Sequence, residues 1–195
     1  PDDQIVLAEQ PRNTVNNAVK YADYALGEFF NRAQQSDYWE NTLFLVVADH
    51  DTRVYGDELV PVSKFHIPGL ILGADIEPRK ISAVSSQIDL APTMLSLAGV
   101  SAYVPTVGQD LSAPTMQPAN RAMMQFGDNY GWLERTKSGE QLTVLQVDRS
   151  IQQFEYSPSS HRLTPIQQRP DAIQIKKVTA YAMLPSILYQ QRAYF

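Results

Sequence analysis

Two hydrophobic rhythms divide the chain. From Thr14 to about Ala33, the residues Val15, Ala18, Val19, Ala22, Leu26, Phe29 and Phe30 recur three to four positions apart, with Asn16, Lys20, Asp23 and Glu28 between them. That spacing predicts an amphipathic helix, with Asn13 or Thr14 available as its N-cap. Gln34-Gln35-Ser36-Asp37 breaks the rhythm. The run Leu43–Ala48 is then continuously apolar and rich in Val and Leu, which predicts a strand buried on both faces, as in the middle of a parallel sheet. A second apolar strand is expected over Ile67–Leu72, with Pro68 near its start or at an edge, followed by a turn over Gly73–Pro78. The polar stretch between them, Asp51 to Lys64, has a length that suits an active-site loop better than a minimal turn, and plain solvent exposure accounts for it too.

Two helix starts compete in the segment 85–99. Ser86 with Asp89 forms a capping box that would place Pro92 well inside the helix. Asp89 as N-cap leaves Pro92 in the first turn, where a missing N–H costs nothing, and is preferred, with Gly99 ending the helix. Val104–Asn120, rich in Pro, Ser, Thr and Gly, reads as a surface connection. Beyond it the rhythm shortens to strands at Ala122–Phe126, Trp132–Thr136, Gln141–Val147 and Ile151–Tyr156, separated by Gly-, Asn-, Asp- and Ser-containing turns. A final helix is expected over about Asp171–Tyr194, kinked or broken near Pro185. The expected fold class is α/β: a sheet flanked by helices over residues 1–120, and a smaller C-terminal antiparallel sheet plus helix over residues 121–195, packed on the same domain.

Composition narrows the functions. With 195 residues, 44% of them hydrophobic, the chain can build one well-cored domain with a small appendage. Net charge is −5, and the 16 Lys and Arg are scattered, so no nucleic-acid partner is expected. No cysteine is present, which excludes disulfides, thiolate metal sites and a Cys nucleophile. No apolar run reaches membrane-spanning length. The start Pro1-Asp2-Asp3-Gln4 is neither basic nor apolar and lacks Met, so a processed or truncated piece of a larger protein is expected.

Candidate chemistry concentrates where the first strand ends. Ligands gather beyond the carboxyl ends of strands in open α/β sheets. There Asp49 offers a hard anionic oxygen and His50 an imidazole nitrogen, a combination suited to Zn²⁺, Mn²⁺ or a similar cation; a turn-capping Asp beside an ordinary loop His is the plain alternative. His66, at a strand edge, is a candidate substrate or phosphate contact, or a solvated loop residue. Asp51 follows the pair and shapes its loop or adds charge nearby. His161 reads as surface, Asp89 as a helix cap, and Asp23, Tyr21 and Tyr24 as helix packing and surface. Tyr130 and Trp132 flank a turn and either line a headgroup or glycan cleft or pack on a core.

Several pieces in order resemble a known family. Tyr21-Ala22-Asp23-Tyr24-Ala25-Leu26-Gly27, Phe29-Phe30, Asn41-Thr42-Leu43, Asp49-His50, Ile67-Pro68-Gly69, Ser86-Gln87-Ile88-Asp89-Leu90-Ala91-Pro92-Thr93 and Gly108-Gln109-Asp110-Leu111 are similar to the sulfatase-like phosphotransferases of the alkaline phosphatase superfamily. The likeness is greatest to the lipoteichoic acid synthase and phosphoglycerol transferase group and covers about residues 14–135. It implies the alkaline phosphatase/sulfatase-like α/β fold with a small C-terminal antiparallel sheet. It also implies a metal-activated Thr or Ser nucleophile (formylglycine in true sulfatases) that forms a covalent intermediate, and it matches Asp49 and His50 to the family's late Asp-His metal pair.

The family's nucleophile and first acidic ligand lie in an N-terminal half with no counterpart here. The nucleophile is therefore expected outside this chain, which should be inactive alone. The resemblance further implies a divalent ion, Mn²⁺ above Mg²⁺, Zn²⁺ or Ca²⁺. The expected substrate is a lipid-headgroup (glycerophosphate-type) or glycan phosphodiester of the cell envelope, met at the extracytoplasmic face of the cytoplasmic membrane by a membrane-associated parent protein. A sulfuric ester hydrolase and a non-catalytic binding module are the alternatives. Without the missing N-terminal half, uncovered apolar surface should favour self-association of the fragment.

Overall fold

The computed structural model describes residues 5–51, 55–73, 75–113 and 120–193. The first helix forms where the 3.6-residue rhythm places it: α1 spans Val15–Ala33, and the Thr14 hydroxyl caps it by accepting the Asn17 N–H at 3.3 Å. Its apolar stripe is exposed, Val15, Val19, Leu26 and Phe29 all lying open. After a 3₁₀ turn over Trp39–Asn41, strand β1 (Phe44–Val47) pairs with β2 (Gly69–Leu72) in a two-stranded sheet. Phe44 gathers Phe29, Phe30 and Trp39 around it, with ring centroids 5.1–6.0 Å apart. β1 is half-buried along its length, with Val47 exposed, rather than buried on both faces. A sheet of two strands gives β1 one strand neighbour, too little cover for both faces.

The chain divides into two compact units, Pro1–Phe44 with Ile71–Glu77, and Leu45–Leu70 with Pro78–Phe195. In the second, a five-stranded antiparallel meander runs in chain order: β3 (Arg121–Phe126), β4 (Asn129–Thr136), β5 (Gly139–Leu145), β6 (Ile151–Ser157) and β7 (Arg162–Pro165). The pairings Met124↔Gly131, Leu133↔Leu142 and Leu142↔Phe154 put the alternating apolar positions on one face. That face is the core, completed by Val60 and Val62. The stretch Asp51–Lys64 is thus only partly an exposed loop. Its Leu59-Val60-Pro61-Val62 portion closes the meander core, because these apolar side chains have more to gain there than in water. Asn129 secures the cover by donating to the Leu59 carbonyl at 3.0 Å.

The opposite face carries Arg121, Trp132 and Glu134, and α3 (Ala172–Gln190) rests on it. Tyr181 lies 4.7 Å from the Trp132 ring, and Lys177 pairs with Glu134 at 2.6 Å. Of the kink or break expected near Pro185, the break does not occur: the helix runs through that residue. β7 was not expected: Arg162-Leu163-Thr164-Pro165 is short and half polar, and pairing with β6 makes it a strand.

The segment 85–99 combines its two competing starts. Ser86 and Asp89 do form the capping box, around a 3₁₀ turn over Gln87–Asp89, and α2 (Leu90–Leu97) follows with Pro92 in its first turn. Asp89 stands at the N-cap position of α2, as preferred, but its side chain makes no cap bond to the helix, because its carboxylate is turned back to Ser86 and inward. Gly99 ends α2 as expected, at φ +69°, with Gly99 N–H on Ser96 O and Val100 N–H on Leu95 O, the two bonds of a Schellman stop.

Candidate functional site

Asp49 and His50 follow β1 directly and are largely exposed, with side-chain exposures of 88% and 67%. Each spends one donor or acceptor on the local backbone. Asp49 Oδ1 accepts the His50 N–H at 2.9 Å, and His50 Nδ1 sits 2.7 Å from the Asp51 carbonyl. A carbonyl accepts only, so Nδ1 carries a proton, and in the neutral ring Nε2 then holds the lone pair. The two atoms left over, Asp49 Oδ2 and His50 Nε2, lie 3.4 Å apart. The Asp51 carbonyl, then the Asp49 charge, raises the His50 pKa above its ordinary value, with burial acting weakly the other way.

This geometry suits a divalent cation. One oxygen and one imidazole nitrogen are within common reach of an ion bound at about 2.0–2.2 Å. The second ring nitrogen is fixed by a backbone acceptor, the arrangement that orients metal-binding histidines. Among the described residues, no group of three or more His, Asp or Glu is clustered for a metal, so this chain's described part offers a pair rather than a full shell.

Other groups lie near the pair. Lys64 reaches Asp51 at 3.8 Å, and the Ala48 N–H donates to the Pro68 carbonyl at 3.4 Å, which brings the start of the second strand beside the residue preceding Asp49. His66 lies two positions before Pro68, exposed at the end of the 3₁₀ turn Val62–Phe65. The Gln87 side chain donates through Nε2 to the carbonyls of Ala48 at 2.9 Å and Asp49 at 3.1 Å.

Behind Gln87 is a buried ion pair. Arg121 from β3 meets Asp89 through two bonds, Nη1 to Oδ2 at 2.7 Å and Nη2 to Oδ1 at 2.8 Å, and also donates to the Val107 carbonyl at 2.9 Å. Asp89 further accepts the N–H groups of Ser86 and Gln109, each at 2.8 Å. The segment Gly108–Leu111 is held against α2 by that bond and by the Leu111 N–H on Thr93 Oγ1 at 2.9 Å. Gly108 is required here: a Cβ at this position would stand 2.0 Å from the Ile88 carbonyl oxygen.

The remaining candidates scatter. His161 sits in an exposed turn at φ +56°. Trp132 is buried against Tyr181, and Tyr130 is half-buried with burial pushing its pKa up to about 12, so both belong to packing rather than to an open cleft. Gln87 and Arg121 were not singled out from sequence. Gln87 stands inside the quoted motif as a neutral amide, and Arg121 looks like any charged residue at a strand start.

A sequence model of the family described as Sulfatase matches residues 1–100, half of the chain. The chain belongs to the sulfatase family. Among curated sulfatase relatives, arylsulfatase K of Gallus gallus is 26% identical over 117 residues, 57% of this chain and 22% of that protein. Arylsulfatase K of Canis lupus familiaris is 32% identical over 107 residues, 52% of this chain and 19% of the relative. The lipoteichoic acid synthase-like YvgJ of Bacillus subtilis is 27% identical over 112 residues, 45% of this chain and 17% of the relative. A crystal structure of an alkaline phosphatase superfamily protein from Vibrio parahaemolyticus superposes with a TM-score of 0.90 and 44% identity, over all of this chain and 46% of that one. The sulfatase-like, alkaline phosphatase superfamily fold expected from the quoted motifs is therefore present. This sulfatase-family chain spans about a fifth of the curated relatives it matches, and the superfamily generally uses divalent metals.

Proposed function

We infer that this chain supplies the late metal-binding pair of a divalent-metal-dependent phosphotransferase or phosphodiesterase, acting on a glycerophosphate-type headgroup or phosphorylated glycan of the cell envelope. The observation that carries the reading is the convergence of Asp49 Oδ2 and His50 Nε2 at 3.4 Å, with their other polar atoms engaged by backbone. Asp49 and His50 hold the ion, Mn²⁺ being our assignment. When bound, such an ion stabilises charge on a phosphoryl oxygen and activates a nucleophile. Asp49 contributes the compensating negative charge, and the Asp51 carbonyl keeps the His50 tautomer that leaves Nε2 free. His66 contacts the anionic group of the substrate beside the pair.

The nucleophile and the remaining ligands come from another part of the same protein. The chain's coverage of 46% of its Vibrio parahaemolyticus neighbour supports this, as does the open apolar stripe of α1, which the rest of the catalytic domain would cover and through which the isolated chain would self-associate. The site faces the extracytoplasmic side of the membrane in this reading. No helix among the described residues is long and apolar enough to cross a membrane.

Sulfuric ester hydrolysis is the second reading, favoured by the Sulfatase family match and the arylsulfatase K relatives. The protein in its full natural length, assayed on a phosphodiester and an aryl sulfate with and without Mn²⁺, tests both. Mn²⁺-dependent phosphodiester cleavage that is lost in Asp49→Ala is the expected result. Sulfate release in its place establishes the second reading, and no turnover on either substrate points to a binding module.

A further inference from the structure

We propose that Gln87 is a positioning residue for the Asp49–His50 pair, and that it transmits the rigidity of the C-terminal meander to the metal-binding end of β1. The proposal rests on the reading of Asp49 and His50 as metal ligands.

The strand end that carries the pair is open. Both side chains are largely exposed, and the backbone after Val47 has left the β1–β2 ladder apart from the Ala48–Pro68 bond. Two ligand atoms on such a segment bind an ion tightly only if something limits the positions they sample. The Gln87 amide does so with one nitrogen, whose two hydrogens go to the two successive carbonyls of Ala48 and Asp49. Fixing both carbonyls fixes the peptide plane between Ala48 and Asp49, and with it the direction in which the Asp49 side chain leaves the backbone.

A clamp is only as stiff as its mount, and Gln87 is mounted between two tethered residues. On one side Ser86 Oγ accepts the Met123 N–H of β3 at 2.7 Å. On the other side Asp89 is buried and bound twice by Arg121, the first residue of β3. The 3₁₀ turn Gln87–Asp89 is therefore bolted to the meander at both ends, and its one outward-reaching amide touches the metal-binding segment. The same side chain could have been solvated at no cost, being exposed, so its engagement with two backbone carbonyls 38 and 39 positions away in sequence is not forced by burial. Residues that orient metal ligands without touching the metal change its affinity about 10- to 100-fold when removed.

The test uses the protein in its full natural length and reads Mn²⁺ binding directly by calorimetry, with thermal midpoint in parallel. Gln87→Met keeps length and loses both donors; Gln87→Glu keeps shape and loses both donors. Both variants should weaken Mn²⁺ binding about tenfold or more and leave the thermal midpoint close to wild type, since the replaced side chain is on the surface. A role confined to folding would move the midpoint and leave the Mn²⁺ dissociation constant alone. Unchanged Mn²⁺ affinity in both variants, while Asp49→Ala loses the ion, overturns the positioning role and leaves the metal pair standing. Undiminished Mn²⁺ binding in Asp49→Ala overturns the metal pair, and the role of Gln87 with it.

Discussion

Arg121 and Asp89 form a two-pronged ion pair with both side chains almost wholly buried, at 2% and 1% exposure. Their residues are 32 apart in sequence, and the pair joins the first residue of the meander to the turn that opens α2. Removing one partner of a buried pair strands the other charge. Arg121→Met is accordingly expected to cost about 3–5 kcal/mol, measured by urea unfolding. A loss under about 1 kcal/mol would mean that the Ser86 and Gln109 amides satisfy the Asp89 carboxylate without the guanidinium.

Gly108→Ala probes the same region from the backbone. Its Cβ would overlap the Ile88 carbonyl, which is backbone and not the end of a flexible side chain, and would crowd the Pro92 ring. The expected cost is about 1–3 kcal/mol, with loss of the Gln109–Asp89 bond seen as faster exchange of the Gln109 amide. Wild-type stability and protection in the alanine variant would contradict the close approach.

Asn17 organises the chain ahead of α1. Its Oδ1 accepts the Ala8 N–H at 2.7 Å, and its Nδ2 donates to the carbonyls of Glu9 and Arg12 at 2.9 and 3.0 Å. Asn17→Ala should free residues 8–12 and expose them to limited proteolysis, while Thr14→Ala, which removes only the cap, should cost about 1 kcal/mol of helix stability without that cleavage. Equal protection of residues 8–12 in wild type and Asn17→Ala would reject this assignment.

Tyr130 links the meander to pH. Burial pushes its pKa to about 12 from an unfolded value near 10, and its buried hydroxyl has no hydrogen-bond partner. The folded state thus keeps a proton that the unfolded chain releases, so this contribution is complete below pH about 10 and is lost as pH rises towards 12. Burial also raises the Tyr156 pKa, so ultraviolet titration should show late ionisation among the ten tyrosines, and Tyr130→Phe should remove the Tyr130 part of it while leaving stability at neutral pH equal or higher, because an unsatisfied buried group disappears. A Tyr130→Phe variant that is markedly less stable at pH 7 would reveal a bond the hydroxyl makes.

The helices and strands with strong local rhythm could be read directly. α1 follows from apolar spacing plus a Thr cap, α2 from Pro92 and Gly99, and the meander from alternation broken by turn residues, because each of these signals acts within a few positions of the chain. The candidate pair was legible for the same reason: an apolar run ending in Asp-His puts both donor groups on adjacent residues, and only neighbouring backbone is needed to turn Oδ2 and Nε2 together.

Tertiary structure decided what depends on residues distant in sequence. Val60 and Val62 sit in a stretch that reads as a polar loop, yet they close the meander core once Met124, Leu133 and Leu142 share a face. β7 becomes a strand because β6 offers an edge, and Asp89 becomes an ionic anchor because β3 brings Arg121 to it. β1 ends half-buried since burial is set by how many neighbours a strand acquires, which its own residues do not specify. Local sequence determined which atoms were available at the end of β1. The position of Gln87, fixed by Ser86 and Asp89 on a sheet that begins 34 residues later, was decided by folding alone, since a hydrogen bond between residues 39 apart exists only after the chain has brought them together.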